Sequence, residues 1–164
     1  MNKKPARTLL VLSALVMALV VSPAAVSYPN GIQGVKDSGC NCHGAVTSSE
    51  VVPSITGLPD QYNYSETYEI TVSFVGGPSD PSNINQGGFN LWVSDGELTP
   101  SDATVQSYSV NEVSHTEAGN DQTSWTLTWT SPSSDRNVEF VLHTNSVNGN
   151  ADGANGGSSG DMWN

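Results

Sequence analysis

Beyond residue 28 the chain never places apolar residues at helical spacing over three turns; it alternates apolar and polar residues with a period of two, between clusters of turn residues. That alternation constrains the fold most, because successive strand side chains point to opposite faces and one face must be buried. Tyr68, Ile70, Val72 and Phe74 point one way, and Glu69, Thr71 and Ser73 the other. Phe89, Leu91 and Val93 alternate with Asn90, Trp92 and Ser94, after which Asp95-Gly96 turns the chain as in a hairpin. Trp125, Leu127 and Trp129 alternate with Thr126, Thr128 and Thr130. Val138, Phe140 and Leu142 alternate with Glu139, Val141 and His143, which directs His143 to solvent. Val51 to Ile55 and Thr104 to Val110 are weaker strands. The connections are built from Gly, Pro, Asn, Asp and Ser, as in Gly76 to Pro81 and Ser131 to Asp135. Short strands with such turns and no helices predict an all-β fold, an antiparallel Ig-like β-sandwich.

Three segments precede or interrupt that pattern. Lys3, Lys4 and Arg7 lead into an apolar or small run from Leu9 to Val21, broken by Ser22-Pro23 and followed by Ala25-Val26-Ser27. This is the layout of a secretory signal peptide over residues 1–27, and its thirteen-residue run is short of the roughly 20 residues a membrane helix needs. Residues 28–49 are Gly-rich without strand pattern, an irregular arm laid over the domain or extending from it; residues 50–164 are the sandwich. Asn145 to Asp161 is almost entirely Asn, Gly, Ser, Ala and Asp, and reads as a loop or flexible tail.

Removal of the leader leaves sixteen acidic residues against Lys36 and Arg136, a net charge of −14. Such a surface repels phosphate backbones and anionic headgroups, which excludes nucleic-acid binding and electrostatic membrane docking. The protein is expected outside the cell or at its surface, and its redox partner or surface ligand is not written in the sequence.

The chemistry concentrates in Gly39-Cys40-Asn41-Cys42-His43-Gly44, which contains both cysteines. A disulfide across one intervening residue is strained and closes a very small loop. Covalent c-type haem uses Cys-x-x-Cys-His, two thioethers and an axial histidine. Here Cys42-His43 is intact and Cys40 stands one residue too close, which permits a single thioether from Cys42 with His43 on the iron. Two thiolates and an imidazole also suit copper as Cu(I). Of the remaining histidines, His115 lies in a polar stretch, Ser114-His115-Thr116-Glu117, where a loop could bring it to the arm as a second axial ligand; His143 is the other candidate. The candidate cofactor-binding residues are therefore Cys40, Cys42, His43 and His115, with His43 and His115 as metal ligands and haem c or copper as the group.

The order of these pieces resembles the choice-of-anchor V domain family, exported reeler-like sandwiches. The likeness runs from about residue 34 to the end. It takes in the Cys–His segment, Tyr68 to Val72, Gly87-Gly88-Phe89-Asn90-Leu91, His115-Thr116, Trp125 to Pro132, Val138-Glu139-Phe140, and Asn148-Gly149 leading to Gly160-Asp161. The family's first motif is commonly Cys-x-x-Cys-His, so Cys40-Asn41-Cys42-His43 departs from it by one residue. The resemblance implies a further strand after Gly160-Asp161 and then a surface anchor. The chain stops at Met162-Trp163-Asn164, so a C-terminal fragment is expected, with membrane attachment only through an anchor beyond it.

Other signals are weaker. Gly156-Gly157-Ser158-Ser159-Gly160 matches a nucleophile-elbow pattern but has no strand before it and no helix after it. Asp152 and Asp161 lack EF-hand spacing, and the sixteen acids form no convincing catalytic pair. Asn63-Tyr64-Ser65 is an N-glycosylation acceptor triplet. No enzyme is expected. Two readings stand side by side: a surface electron carrier with one c-type haem, or an adhesive or structural module without one.

Overall fold

The computed structural model describes residues 29–40, 46–150 and 160–164. Among these residues nine strands form two antiparallel sheets: β1 (Val52–Thr56), β2 (Thr67–Val75), β3 (Gly87–Val93), β4 (Glu97–Pro100), β5 (Val105–Ser109), β6 (Glu112–His115), β7 (Ser124–Thr130), β8 (Phe140–Ser146) and β9 (Met162–Trp163). The first sheet runs β1-β2-β7-β4 and the second β5-β6-β3-β8-β9. The only helix among the described residues is a single 3₁₀ turn, Glu117–Gly119, and none is long and apolar enough to cross a membrane.

Alternation sets which residues meet between the sheets. Ile70, Val72 and Phe74 of β2 and Trp125, Leu127 and Trp129 of β7 are buried from one side. Phe89, Leu91 and Val93 of β3 and Val113 of β6 are buried from the other. Aromatic rings fill most of the gap, since a large ring removes more apolar surface from water than any aliphatic side chain. Trp125 lies 4.8 Å from Phe89 and 6.3 Å from Phe74, centroid to centroid, and its indole N–H donates to Gly119 O at 2.7 Å. A second cluster closes the other end of the sandwich. There Trp129 stacks with Tyr68 at 5.8 Å and meets Tyr62 and Phe140 edge-on at 5.5 and 5.1 Å.

The opposite face of the first sheet carries hydroxyls. The register Thr67↔Thr130, Thr71↔Thr126 and Ser54↔Ser73 sets like residues side by side. Their hydroxyls bond across strands at 2.9, 3.4 and 2.8 Å. Threonine suits this position because its branched carbon packs on the pleat while its hydroxyl remains solvated or paired.

The structure corrects two expectations and adds a short last strand. Asp95-Gly96 does not close a hairpin: it carries the chain from β3 in one sheet to β4, which pairs with β7 in the other. Asn145 and Ser146 are buried members of β8, although their composition reads as loop. Beyond residue 160, Met162–Trp163 forms β9 on the free side of β8.

One connection is organised by a carboxylate. Asp80 accepts hydrogen bonds from the hydroxyl of Ser82 at 2.6 Å and from the backbone N–H groups of Ser82, Ile84 and Asn85 at 2.8 to 3.1 Å. The Ser82 hydroxyl and then these amides favour the charged form, taking its pKa from 3.8 down to about 2.

Candidate functional site

Residues 29–40 lie across the outer face of the second sheet, so the arm is laid over the domain. Every strand of that sheet contributes a contact. At the β5 edge, Gln106 Nε2 and Tyr108 OH donate to Asn30 O, the latter at 3.1 Å. The Tyr108 phenol is pushed up from its ordinary pKa, by burial first and by the nearby Glu112 carboxylate second. In the middle, the side-chain amide of Asn90 on β3 donates to Ile32 O at 2.8 Å and to Glu112 Oε1 on β6 at 2.9 Å. That same carboxylate oxygen accepts the backbone N–H of Gly34 at 2.7 Å. Further along, Lys36 sets its ammonium 4.0 Å above the ring of Trp92, a cation–π contact, while its carbonyl accepts from His143 Nε2 at 3.0 Å.

The arm then turns, with Ser38 and Gly39 both donating to Val35 O, and meets β9. Gly39 has φ +63°, and a Cβ at this position would overlap the indole of Trp163. Glycine satisfies both demands, the left-handed backbone and the close approach. After residues 41–45, Ser48 donates its backbone N–H to Trp163 O at 2.7 Å, and Asn164 Nδ2 donates to Val51 O at 3.0 Å. Both flanks of the Cys–His segment are therefore tied to one residue, Trp163.

Of the four candidate residues, Cys42 and His43 lie outside the described residues. Cys40 is buried, next to Gly39 on the β9 side of the sheet. His115 is not in a loop: it ends β6 and is 8% exposed. Its ring packs 6.4 Å from both Phe89 and Trp125 and fills the space where a side chain at Gly88 would project. Register explains the burial, because pairing with β3 carries Ser114 opposite Asn90 and His115 on to the sheet's end beside Phe89. His115 Nδ1 lies 3.1 Å from Phe89 N and 3.2 Å from Phe89 O. It accepts the amide proton in one tautomer and donates to the carbonyl in the other.

Cys40 and His115 thus stand at β9 and β6, with β8 and β3 between them. His143, expected in solvent, is half-buried under the arm and stacks edge-on with Trp163 at 6.0 Å. Asn90 and Glu112, the centre of the clamp, are not among the candidates: Glu112 lies in no motif, and Asn90 enters only within Gly87-Gly88-Phe89-Asn90-Leu91. The one signal available is an amide at the middle of an apolar strand, between Phe89 and Leu91. No three His, Cys, Asp or Glu side chains among the described residues are grouped to hold a metal ion. Asp161 Oδ1 instead accepts the backbone N–H of Asn148 at 3.0 Å, a turn contact. Of the nucleophile-elbow pattern, only Gly160 is among the described residues.

No protein-family model matches the chain, and no curated protein matches it. Solved structures do. The Reelin-N domain of F-spondin overlaps with a TM-score of 0.45 and 21% identity over 60% of this chain and 73% of that one. Two structures of the human F-spondin reeler domain overlap with a TM-score of 0.42. One is 21% identical over 63% of this chain and 79% of its own, the other 18% identical over 58% and 78%. Overlaps of this size assign no site and no partner.

Proposed function

We propose that this chain is an exported, non-enzymatic β-sandwich module whose N-terminal arm presents the Cys40-Asn41-Cys42-His43 segment at the cell surface or outside the cell. The observation that carries this reading is the clamp. The arm is held at every strand of the second sheet, and the chain on either side of residues 41–45 is fastened to Trp163. Both described flanks of the segment are thereby fastened to the same strand. The leader over residues 1–27 supplies export, and the −14 charge of the mature chain keeps it apart from nucleic acid and anionic membranes. The order of motifs supports a reeler-like, choice-of-anchor V assignment.

A haem-carrying electron-transfer protein is the second reading. Cys42 would supply one thioether and His43 an axial ligand. His115, packed on Phe89 and Trp125 inside the sandwich with β3 and β8 between β6 and the Cys40 end of the arm, is badly placed to be the second ligand of that iron. Copper bound by Cys40, Cys42 and His43 uses the same segment.

One preparation decides among these. The mature protein is produced beside a working haem-attachment system and its intact mass, metal content and absorption spectrum are measured. The module reading expects a colourless protein with the mass of the polypeptide. A Soret band with a haem-sized increment overturns it in favour of haem, and stoichiometric copper overturns it in favour of a copper protein.

A further inference from the structure

We propose that Asn63 is an N-glycan acceptor and that its glycan sits at the end of the sandwich away from Trp163. Asn63-Tyr64-Ser65 is the only Asn-x-Ser/Thr triplet in the chain. A bulky glycan is compatible with the fold only where the triplet lies at the surface. Here Asn63, Tyr64 and Ser65 are all exposed in the connection before β2, and Tyr64 is 60% exposed.

The main chain, not these side chains, holds the loop. Asn63 N donates to Tyr68 OH at 2.7 Å and Ser65 N donates to Pro132 O at 3.0 Å. Asn63 Nδ2 donates to Glu66 Oε2 at 3.0 Å, an exposed carboxylate that water can replace. The Ser65 hydroxyl bonds to no described residue. A transferase can therefore engage both groups without unfolding a strand.

In the reaction, Asn63 Nδ2 attacks the anomeric carbon of a lipid diphosphate-linked oligosaccharide. The carbon–oxygen bond to the diphosphate breaks, the lipid diphosphate leaves, and the Nδ2 proton passes to a base of the transferase.

Position gives the modification a consequence. Tyr64 lies 6.3 Å from Tyr62, which packs on Trp129, and Trp129 in turn meets Phe140 at the start of β8. Trp163 and the flanks of residues 41–45 adjoin Asn145, near the end of β8. A glycan on Asn63 therefore lies beside the exposed Tyr64 ring, at the opposite end of β8 from Trp163.

The inference rests on export. The full chain is expressed in a secreting host that has an N-glycosylation transferase, and the product is mapped by peptide mass spectrometry. The expected result is carbohydrate on Asn63, lost in Asn63→Gln and Ser65→Ala and kept in Ser65→Thr. Secreted protein with an unmodified Asn63, or carbohydrate that survives Ser65→Ala, overturns the assignment. Protein that stays inside the cell without carbohydrate overturns the export reading and the assignment with it.

Discussion

The indole of Trp163 closes on the backbone of Gly39 so tightly that any side chain at residue 39 would occupy the ring's place. This contact joins the last strand of the second sheet to the last described residues of the arm. A Trp→Ala change at a buried site typically costs about 3–5 kcal/mol. Trp163→Ala is therefore expected to lower the stability by about 3 kcal/mol in urea denaturation, with accelerated exchange at the Ser38 and Gly39 amides. Gly39→Ala is expected to release the arm with a smaller loss of global stability, since the sandwich core does not include residue 39.

Asn90 makes a second test. Its amide bonds both Ile32 O and Glu112 Oε1, and it is fully buried. Removing one partner of a buried hydrogen bond strands the other, at about 1–3 kcal/mol. Asn90→Ala is expected to cost that much in equilibrium unfolding. Asn90→Asp is expected to cost more near neutral pH than Asn90→Ala, because a second carboxylate then faces Glu112.

Asp80 predicts a pH dependence. Its folded-state pKa is depressed, from 3.8 to about 2, by the Ser82 hydroxyl and the surrounding amides. A depressed carboxylate contributes stability that is complete above the unfolded value and is lost as pH falls from about 4 through about 2. The urea midpoint of the wild type is expected to fall across that window. Asp80→Asn is expected to lower the midpoint at neutral pH and to flatten the acid limb.

The sandwich was legible where strands were long and one face was apolar. The alternations in β2, β3 and β7 gave the buried Ile70, Val72, Leu91 and Trp125 without reference to any partner. β4, β6 and β9 were not legible, for a physical reason. They are four, four and two residues long, and are fixed by pairing with β7, β3 and β8 rather than by their own pattern. His115 reads as a loop residue because Ser114 and Thr116 flank it; only its register beside Phe89 buries it. The site divided in the same way. Cys40, Cys42 and His43 stood out by residue type, whereas Asn90, Glu112 and Trp163 matter through contacts made across 58 residues of chain or more. A period-two pattern says which face of β3 is outward, but not that an arm returns to cover it.

Presentation of the Cys–His segment requires the arm to be docked by the sheet itself, without help from a bound group. Hydrogen exchange at the Gly34 and Gly39 amides measures this directly, since they donate to Glu112 Oε1 at 2.7 Å and to Val35 O at 2.7 Å. The comparison is between the wild type purified without haem or metal and the double variant Cys42→Ala/His43→Ala. Both amides are predicted to be protected, and equally so, in the two proteins. Exchange at the rate of an unstructured peptide in either protein would contradict a sheet-docked arm and with it the presentation of the Cys–His segment.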